Sequence, residues 1–359
     1  MLIEGARVAA LLPEDDLPDG AEVERLPGGT LAPGFVDLQV NGGGGVMLCE
    51  ALSPEGVAAI ARAHARFGAT SILPTLISDT PEATRAAIEA AAAACAAGAP
   101  GVAGLHLEGP HLARAGAHDP ARLRPMTDAD LALYLDAAAR LPCLMLTVAP
   151  EAATPEQVAR LAGAGAIVAL GHTDAPAEAC AALFAAGARV VTHLFNAMSQ
   201  LSARAPGLVG AALEAGGVDA GLIADGHHVD PAAIRVALRA KAGPGQVFLV
   251  TDAMAVAGTD ARAFRLGGRE IRRAEGRLAL PDGTLAGADL DMAAALRVMT
   301  GPVGLDRADA LAMATAIPAR VAGLAAGRLA PGAPADLVHL DEGLALRRVW
   351  QGGVEVTAG

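Results

Sequence analysis

The chain is poor in several residue types that would narrow its function quickly. Among 359 residues there are four cysteines, one tryptophan, one tyrosine and six phenylalanines, so aromatics make up 2%. Cys49, Cys95, Cys143 and Cys180 are widely separated and form no C-x-x-C pair. That argues against a thiolate zinc site and against a disulfide framework, and is most simply read as buried thiols in a reducing cytoplasm. Lys241 is the only lysine and the net charge is −12, which disfavours nucleic acid as the main partner. No run of about 18 uninterrupted apolar residues is present to span a bilayer. The opening MLIEGARVAALLPEDD has no basic segment leading into an apolar core and a cleavage site, so no export signal is expected.

What is present is a rhythm. Short apolar runs recur: GFVDLQV (34–40), TSILPTL (70–76), VAGLHLE (102–108), CLMLTVA (143–149), AIVALGH (166–172), RVVTHLF (189–195), VDAGLIAD (218–225) and QVFLVTDA (246–253). Between most of them lie segments of helical period, several opening on Ser, Thr or Asp followed by Pro. Eight alternating strand–helix units over this length predict a (β/α)8 TIM barrel, here residues 34–327, rather than an open doubly wound sheet. Residues 1–33 and 328–359 lack the rhythm and are expected to pair into one small β-sandwich domain. Residues 263–283 read as a hairpin excursion after the eighth strand.

In such a barrel the chemistry sits at the carboxyl ends of the strands, and the unusual residues fall there. Glu108 ends strand three in HLEGPH, His172 strand five in LGHTDA and His193 strand six in THLFNAM; His227 and His228 follow strand seven, and Asp252 ends strand eight in VTDAM. One carboxylate and two imidazoles from separate strands form the ligand set of a catalytic metal with an open position. Asp252 would supply the base that takes a proton from water and returns it to a leaving group. A single strand-end histidine is more often a structural hydrogen-bonding group; the four residues together are not easily explained that way. His106 is expected to be buried and hydrogen-bonded, His64 and His339 to be structural, and His111 is open to either role. A second, cationic set comprises His118 in the loop after strand three, Arg204 after strand six and His228, with Asn196 and Ala197 able to offer amide and main-chain contacts. Arg suits bidentate recognition of phosphate, although a solvated surface side chain is the default for Arg204.

The first strand poses a question of its own. Asp37, Gln39 and Asn41 in DLQVNGGGG fall at period two and share one face. A row of polar groups on an inward face is costly unless a site uses it. Many metal hydrolases carry His-x-His there; this chain has Gln-x-Asn.

The motifs PGFVDLQVNGGGG, GLHLEGPHL, GAHDP, GHTDA, THLFNAM, PGLVG, IADGHHVD and VTDAM, in this order, resemble the N-acetylglucosamine-6-phosphate deacetylase family of the amidohydrolase superfamily. The resemblance covers nearly the whole chain. It implies a (β/α)8 barrel, a homodimer, and metal-dependent hydrolysis of the N-acetyl group of a sugar phosphate in amino-sugar catabolism or cell-wall recycling. By motif, it implies that Glu108, His172 and His193 bind one divalent ion, with zinc expected and iron, manganese or cobalt as alternatives. It makes Asp252 the general base and then acid, and His118 a contact for the acetamide carbonyl. Asn196, Ala197 and His228 would contact the sugar phosphate, which Arg204 would reach from the neighbouring subunit. Gln39 and Asn41 then mark a one-metal site, with Asp37 and the glycines shaping the backbone beneath the sugar. Ser199-Gln200 departs from the family pattern, and His111 stands at a variable position. The alternatives are a deacetylase of the epimeric N-acetylgalactosamine 6-phosphate, another amidohydrolase, or a non-catalytic sugar-phosphate-binding scaffold. A dihydropyrimidinase-like enzyme would need His-x-His and a bridging lysine, and Lys241 lies far from any strand end.

Overall fold

The computed structural model describes residues 1–356. Eight parallel strands follow one another around a barrel: Phe35–Val40, Ala69–Ile77, Leu105–Glu108, Leu144–Val148, Ile167–Leu170, Val190–Val191, Asp219–Leu222 and Val247–Leu249. Each pairs in parallel with its sequence neighbour, for example Leu105 with Leu144 and Ile167 with Met145. The seam between the first and eighth strands closes through a parallel bridge from Val40 to Ala253. There the Asn41 N–H donates to Ala253 O at 2.9 Å, and the Asp252 N–H to Gln39 O at 3.0 Å. Lower on the seam the Asp37 carboxylate accepts from the Thr251 N–H at 3.2 Å and from its hydroxyl at 2.5 Å. Asp37 therefore ties the barrel shut beneath the site.

The helices start where the sequence signals are strongest. Ser53, Thr80, Thr127, Thr154, Asp230 and Asp291 each accept a first-turn N–H at the head of a helix, satisfying a donor that the helix itself leaves unpaired. Their buried faces pack on the outward residues of the strands, such as Leu38, Ile72, Leu107 and Val168, to form one continuous core.

Within the barrel the side chains are partly polar. His106 is fully buried, bonded to Thr75 at 3.2 Å and Thr147 at 2.8 Å, and Thr147 meets Thr192 at 2.6 Å. Burial pushes His106 down to about 4, so it is a neutral hydrogen-bonding member of this layer.

Two antiparallel sheets decorate the barrel. Thr30–Pro33, Leu337–Leu340, Leu346–Gln351 and Val354–Glu355 form one, beside a hairpin of Leu2–Glu4 and Arg7–Ala10. The excursion after strand eight is larger than the predicted hairpin: Ala263–Leu266, Arg269–Ala274, Arg277–Ala279 and Leu285–Ala288 make a four-stranded sheet. Its Leu266, Ile271 and Leu278 share a small core with Met47, Met254 and Val256 of the barrel loops, which packs it over the barrel mouth.

The sixth and eighth strands are shorter than their apolar runs. His193 and Asp252, inside those runs, have positive φ of 27° and 52°. A residue in that region cannot continue a ladder, so the chain leaves the sheet where the polar group must turn inward.

Candidate active site

Five non-glycine residues with positive φ crowd the barrel mouth: His172, His193, Phe195, Ala197 and Asp252. Such conformations cost about 1–3 kcal/mol each and persist where the surroundings fix them. Glu108, His172 and His193 converge there, all buried, with ligand atoms within 4.8 Å of one another. Glu108 Oε1 lies 3.0 Å from His193 Nε2 and 3.3 Å from His172 Nε2, and the two Nε2 atoms are 3.0 Å apart. The loop after strand three grips His172 from both sides. Its Nδ1 donates to Arg114 O at 2.7 Å, while its own carbonyl accepts from Ala113 and Arg114. With the proton on Nδ1, Nε2 presents a bare lone pair. Burial pushes His172 down to about 4, helped by His118. Burial also opposes charge on His193, but the Glu108 carboxylate raises it, and three imidazoles hold Glu108 well below the usual carboxylate range despite its own burial. The two Nε2 atoms and a carboxylate oxygen converge on one point, where a positive charge would serve all three. A divalent ion fits that point and the donor set.

Gly109 makes the approach possible. A Cβ there would lie 2.2 Å from Ser78 Oγ, and its φ is 89°. Ser78 in turn orients His118: its N–H donates to Nδ1 at 3.2 Å, and its hydroxyl lies 2.8 Å away. An accepting Nδ1 puts the His118 proton on Nε2, 3.7 Å from Glu108 Oε2. His118 thus presents an Nε2–H donor to the site.

Asp252 is held by the first strand. Asn41 Nδ2 donates to its Oδ1 at 2.6 Å, and Gln39 Nε2 donates to the same oxygen at 3.2 Å while also reaching Glu108 Oε1 at 3.1 Å. Both amides therefore occupy Oδ1 and leave Oδ2 for a proton. Burial raises Asp252 to about 6, with the Glu108 charge adding to it and His193 and Asn41 working against it. A carboxyl near that value can both take and return a proton close to neutral pH.

Asn41, Glu108, His118, His172, His193 and Asp252 line a cavity of about 230 Å³ whose walls also include Asn196, Ala197, Arg114 and His228. The decorating sheet roofs it through Leu266, Thr284 and Leu285, and Arg269 bonds the carbonyl of Ala117 beside His118. His227 lies outside, 3.2 Å from Arg277 Nε. His111 bonds Arg124 O and the Tyr134 hydroxyl, a structural role linking the third-strand loop to the helix Asp128–Arg140. His64 Nε2 bonds Gly42 O; a Cβ at Gly43 would meet that ring at 2.7 Å, so the glycine run packs on the first helix. His339 bonds Gly28 O in the terminal sheet. Ser199 and Gln200, the departure from the family pattern, fasten the turn carrying Asn196 and Ala197: Ser199 Oγ donates to Ala175 O, and Gln200 Nε2 to Phe195 O and Met198 O.

Arg204 does not join the cavity of its own chain. It stands on the exposed stretch 200–206. Arg114, inconspicuous in the sequence, does line the cavity, its Nη1 bonded to Met198 O at 3.2 Å and to Asp174 at 3.3 Å. Its place four residues before His118 was the available signal. A larger crevice of about 440 Å³ opens beside Asp260, Asp289 and Asp291, but of the strand-end residues argued above it holds none.

Comparison with known proteins agrees with this geometry. A family model described as the amidohydrolase family matches residues 30–353. An N-acetylgalactosamine-6-phosphate deacetylase of Shewanella sp. (strain ANA-3) is 42% identical over 334 residues, covering 92% of this chain and 84% of that protein. The human N-acetylglucosamine-6-phosphate deacetylase is 38% identical over 347 residues, with coverages of 91% and 83%. The crystal structure of N-acetylglucosamine-6-phosphate deacetylase from Pasteurella multocida superposes with a TM-score of 0.93 at 30% identity, covering 98% of this chain and 93% of that one. A family match across nearly the full length, and a barrel mouth where strand-end carboxylates and imidazoles converge, lead to one conclusion: the chain belongs to the amidohydrolase family.

Proposed function

We propose that this chain hydrolyses the N-acetyl group of N-acetyl-D-glucosamine 6-phosphate to acetate and D-glucosamine 6-phosphate, in amino-sugar catabolism or cell-wall recycling. The observation that carries the reading is the pinning of Asp252 by two amides on one oxygen, in the same cavity as His118 and the Glu108, His172 and His193 donors. A divalent ion held by those three residues, zinc by the preference of imidazole and carboxylate donors, would supply Lewis acidity and make water more acidic. Asp252 takes the proton of the attacking water through Oδ2. His118 donates from Nε2 to the acetamide oxygen as charge gathers there. Asp252 then returns the proton to the sugar nitrogen as the C–N bond breaks.

Asn196, Ala197 and His228 line the cavity and are assigned to the phosphate. Arg204 is assigned to the same group in a neighbouring copy within a homodimer, which its exposure on a loop supports. A cytoplasmic setting is favoured by four free thiols, and among the described residues no helix is long and apolar enough to cross a membrane.

One observation favours a second reading. The Shewanella relative, at 42% identity, carries the name of a deacetylase for the galactosamine epimer. Acetate release measured in parallel from N-acetylglucosamine 6-phosphate, N-acetylgalactosamine 6-phosphate and N-acetylglucosamine separates the two. Preference for the first supports the proposal and preference for the second replaces the sugar. Equal use of the unphosphorylated sugar contradicts the phosphate assignments.

A further inference from the structure

One buried carboxylate beside the cavity has no part in the chemistry above. Asp225 follows the seventh barrel strand, and its side chain is only 4% exposed. Its Oδ1 accepts the N–H groups of His227 and His228, each at 2.8 Å, and its Oδ2 lies 2.6 Å from His228 Nδ1. Every side-chain hydrogen bond it makes is thus directed at His227 and His228, two and three residues further on, and the shortest is to the His228 ring. His228 lines the cavity with Asn196 and Ala197; Asp225 does not.

The chemistry of that couple is specific. With Nδ1 donating to Asp225, only Nε2 is left for the cavity. An anionic oxygen can accept from Nε2 only when that nitrogen also carries a proton, which makes the ring a cation. A carboxylate behind the ring compensates that charge in a buried setting, where an isolated cation would be expensive. Burial works against ionisation of Asp225, yet its bonds from His228 and the two N–H groups hold its carboxyl below the ordinary value. The couple is therefore built to present a fixed, charge-assisted donor to an anion.

We propose that Asp225 is a positioning residue that sets the preference of this site for an anionic sugar substituent, acting through His228. The inference rests on the assignment of His228 to the phosphate given above. Asp225→Asn keeps an oxygen for the two N–H groups and so preserves the turn, while removing the charge behind the ring. On metal-loaded enzyme, kcat/KM for N-acetylglucosamine 6-phosphate is expected to fall at least about tenfold more than kcat/KM for N-acetylglucosamine, the size of one charge-assisted bond. The loss is expected in KM rather than kcat. His228→Gln should lower the same ratio, and adding Asp225→Asn to it should lower it no further. Asp225→Glu, which restores the charge, should recover part of the preference.

Equal losses on both sugars, a change confined to kcat, or full additivity with His228→Gln would overturn the proposal. So would an Asp225→Asn protein that does not fold, because the carboxylate would then be a loop-building group. Calorimetric binding of glucosamine 6-phosphate and of glucosamine gives the same ratio without turnover. A wild-type enzyme that releases no acetate would refute the deacetylase reading, and the binding ratio would still decide for or against Asp225.

Discussion

The amide grip on Asp252 makes a quantitative demand. Asn41→Ala removes a 2.6 Å donor to Oδ1 and leaves only the 3.2 Å bond from Gln39. A buried hydrogen bond to a charged group is worth about 1.5–3 kcal/mol, and one pKa unit corresponds to about 1.4 kcal/mol. Because Asn41 holds the Asp252 value down, its loss should raise that value by roughly 1–2 units. Water entering the vacated space would put the shift near the lower figure. A bound cation lowers the midpoint in both proteins and leaves the difference. The assay is kcat/KM for acetate release from about pH 5 to pH 9, with metal content measured on each sample. The acid limb should move to higher pH by roughly one unit or more, giving about a tenfold loss below the wild-type midpoint. On the alkaline side the two enzymes should converge. A uniform loss at all pH values with an unmoved limb would refute the reasoning, since Asn41 would then act on geometry alone.

Other outcomes follow from the same site. Asp252→Asn should retain its metal while kcat falls about 10²–10⁴-fold, the range for a lost general acid–base group; near-full turnover would remove Asp252 from its role. Glu108→Gln should lose bound metal on dialysis, measured by elemental analysis, because Glu108 is the one anionic member of the donor set; retention at one ion per chain would contradict its assignment. Arg204→Ala should weaken use of the phosphorylated sugar more than the unphosphorylated one, and equal losses would contradict a phosphate role. Asp37 is raised to about 7, mainly by burial, above an unfolded value of about 3.9. Its favourable contribution is therefore present below about pH 4 and lost as pH rises toward 7. Asp37→Asn should become progressively more stable relative to wild type across that window in urea unfolding; a pH-independent difference would contradict this.

The fold was legible because strand and helix periods alternate eight times and helix starts carry Ser, Thr or Asp before Pro. The approximate positions of Glu108, His172, His193 and Asp252 were legible for the same reason: each ends an apolar run. What the sequence could not convey was contact across the barrel seam. Gln39 and Asn41 share a face by period two, but that face meets Asp252 only because strands one and eight, more than two hundred residues apart, close on each other. Asp225 and Arg114 lay hidden for a different reason. Each sits within two to four residues of a more conspicuous histidine, and only side-chain geometry separates a partner of that histidine, as Asp225 is, or a wall of the cavity, as Arg114 is, from a solvated loop charge. The size of the excursion over residues 263–288 was also underestimated, because Arg277–Ala279 and Leu285–Ala288 are too short to give a clear alternation.

The proposed reaction is a one-metal amide hydrolysis, with Gln39 and Asn41 in the place where a second ion would need histidines. The direct test is titration of metal-stripped protein with zinc while acetate release from N-acetylglucosamine 6-phosphate is followed. No activity is expected without metal, and a plateau at one ion per chain. A plateau at two ions per chain, or acetate release that does not depend on added metal, would contradict a one-metal reaction.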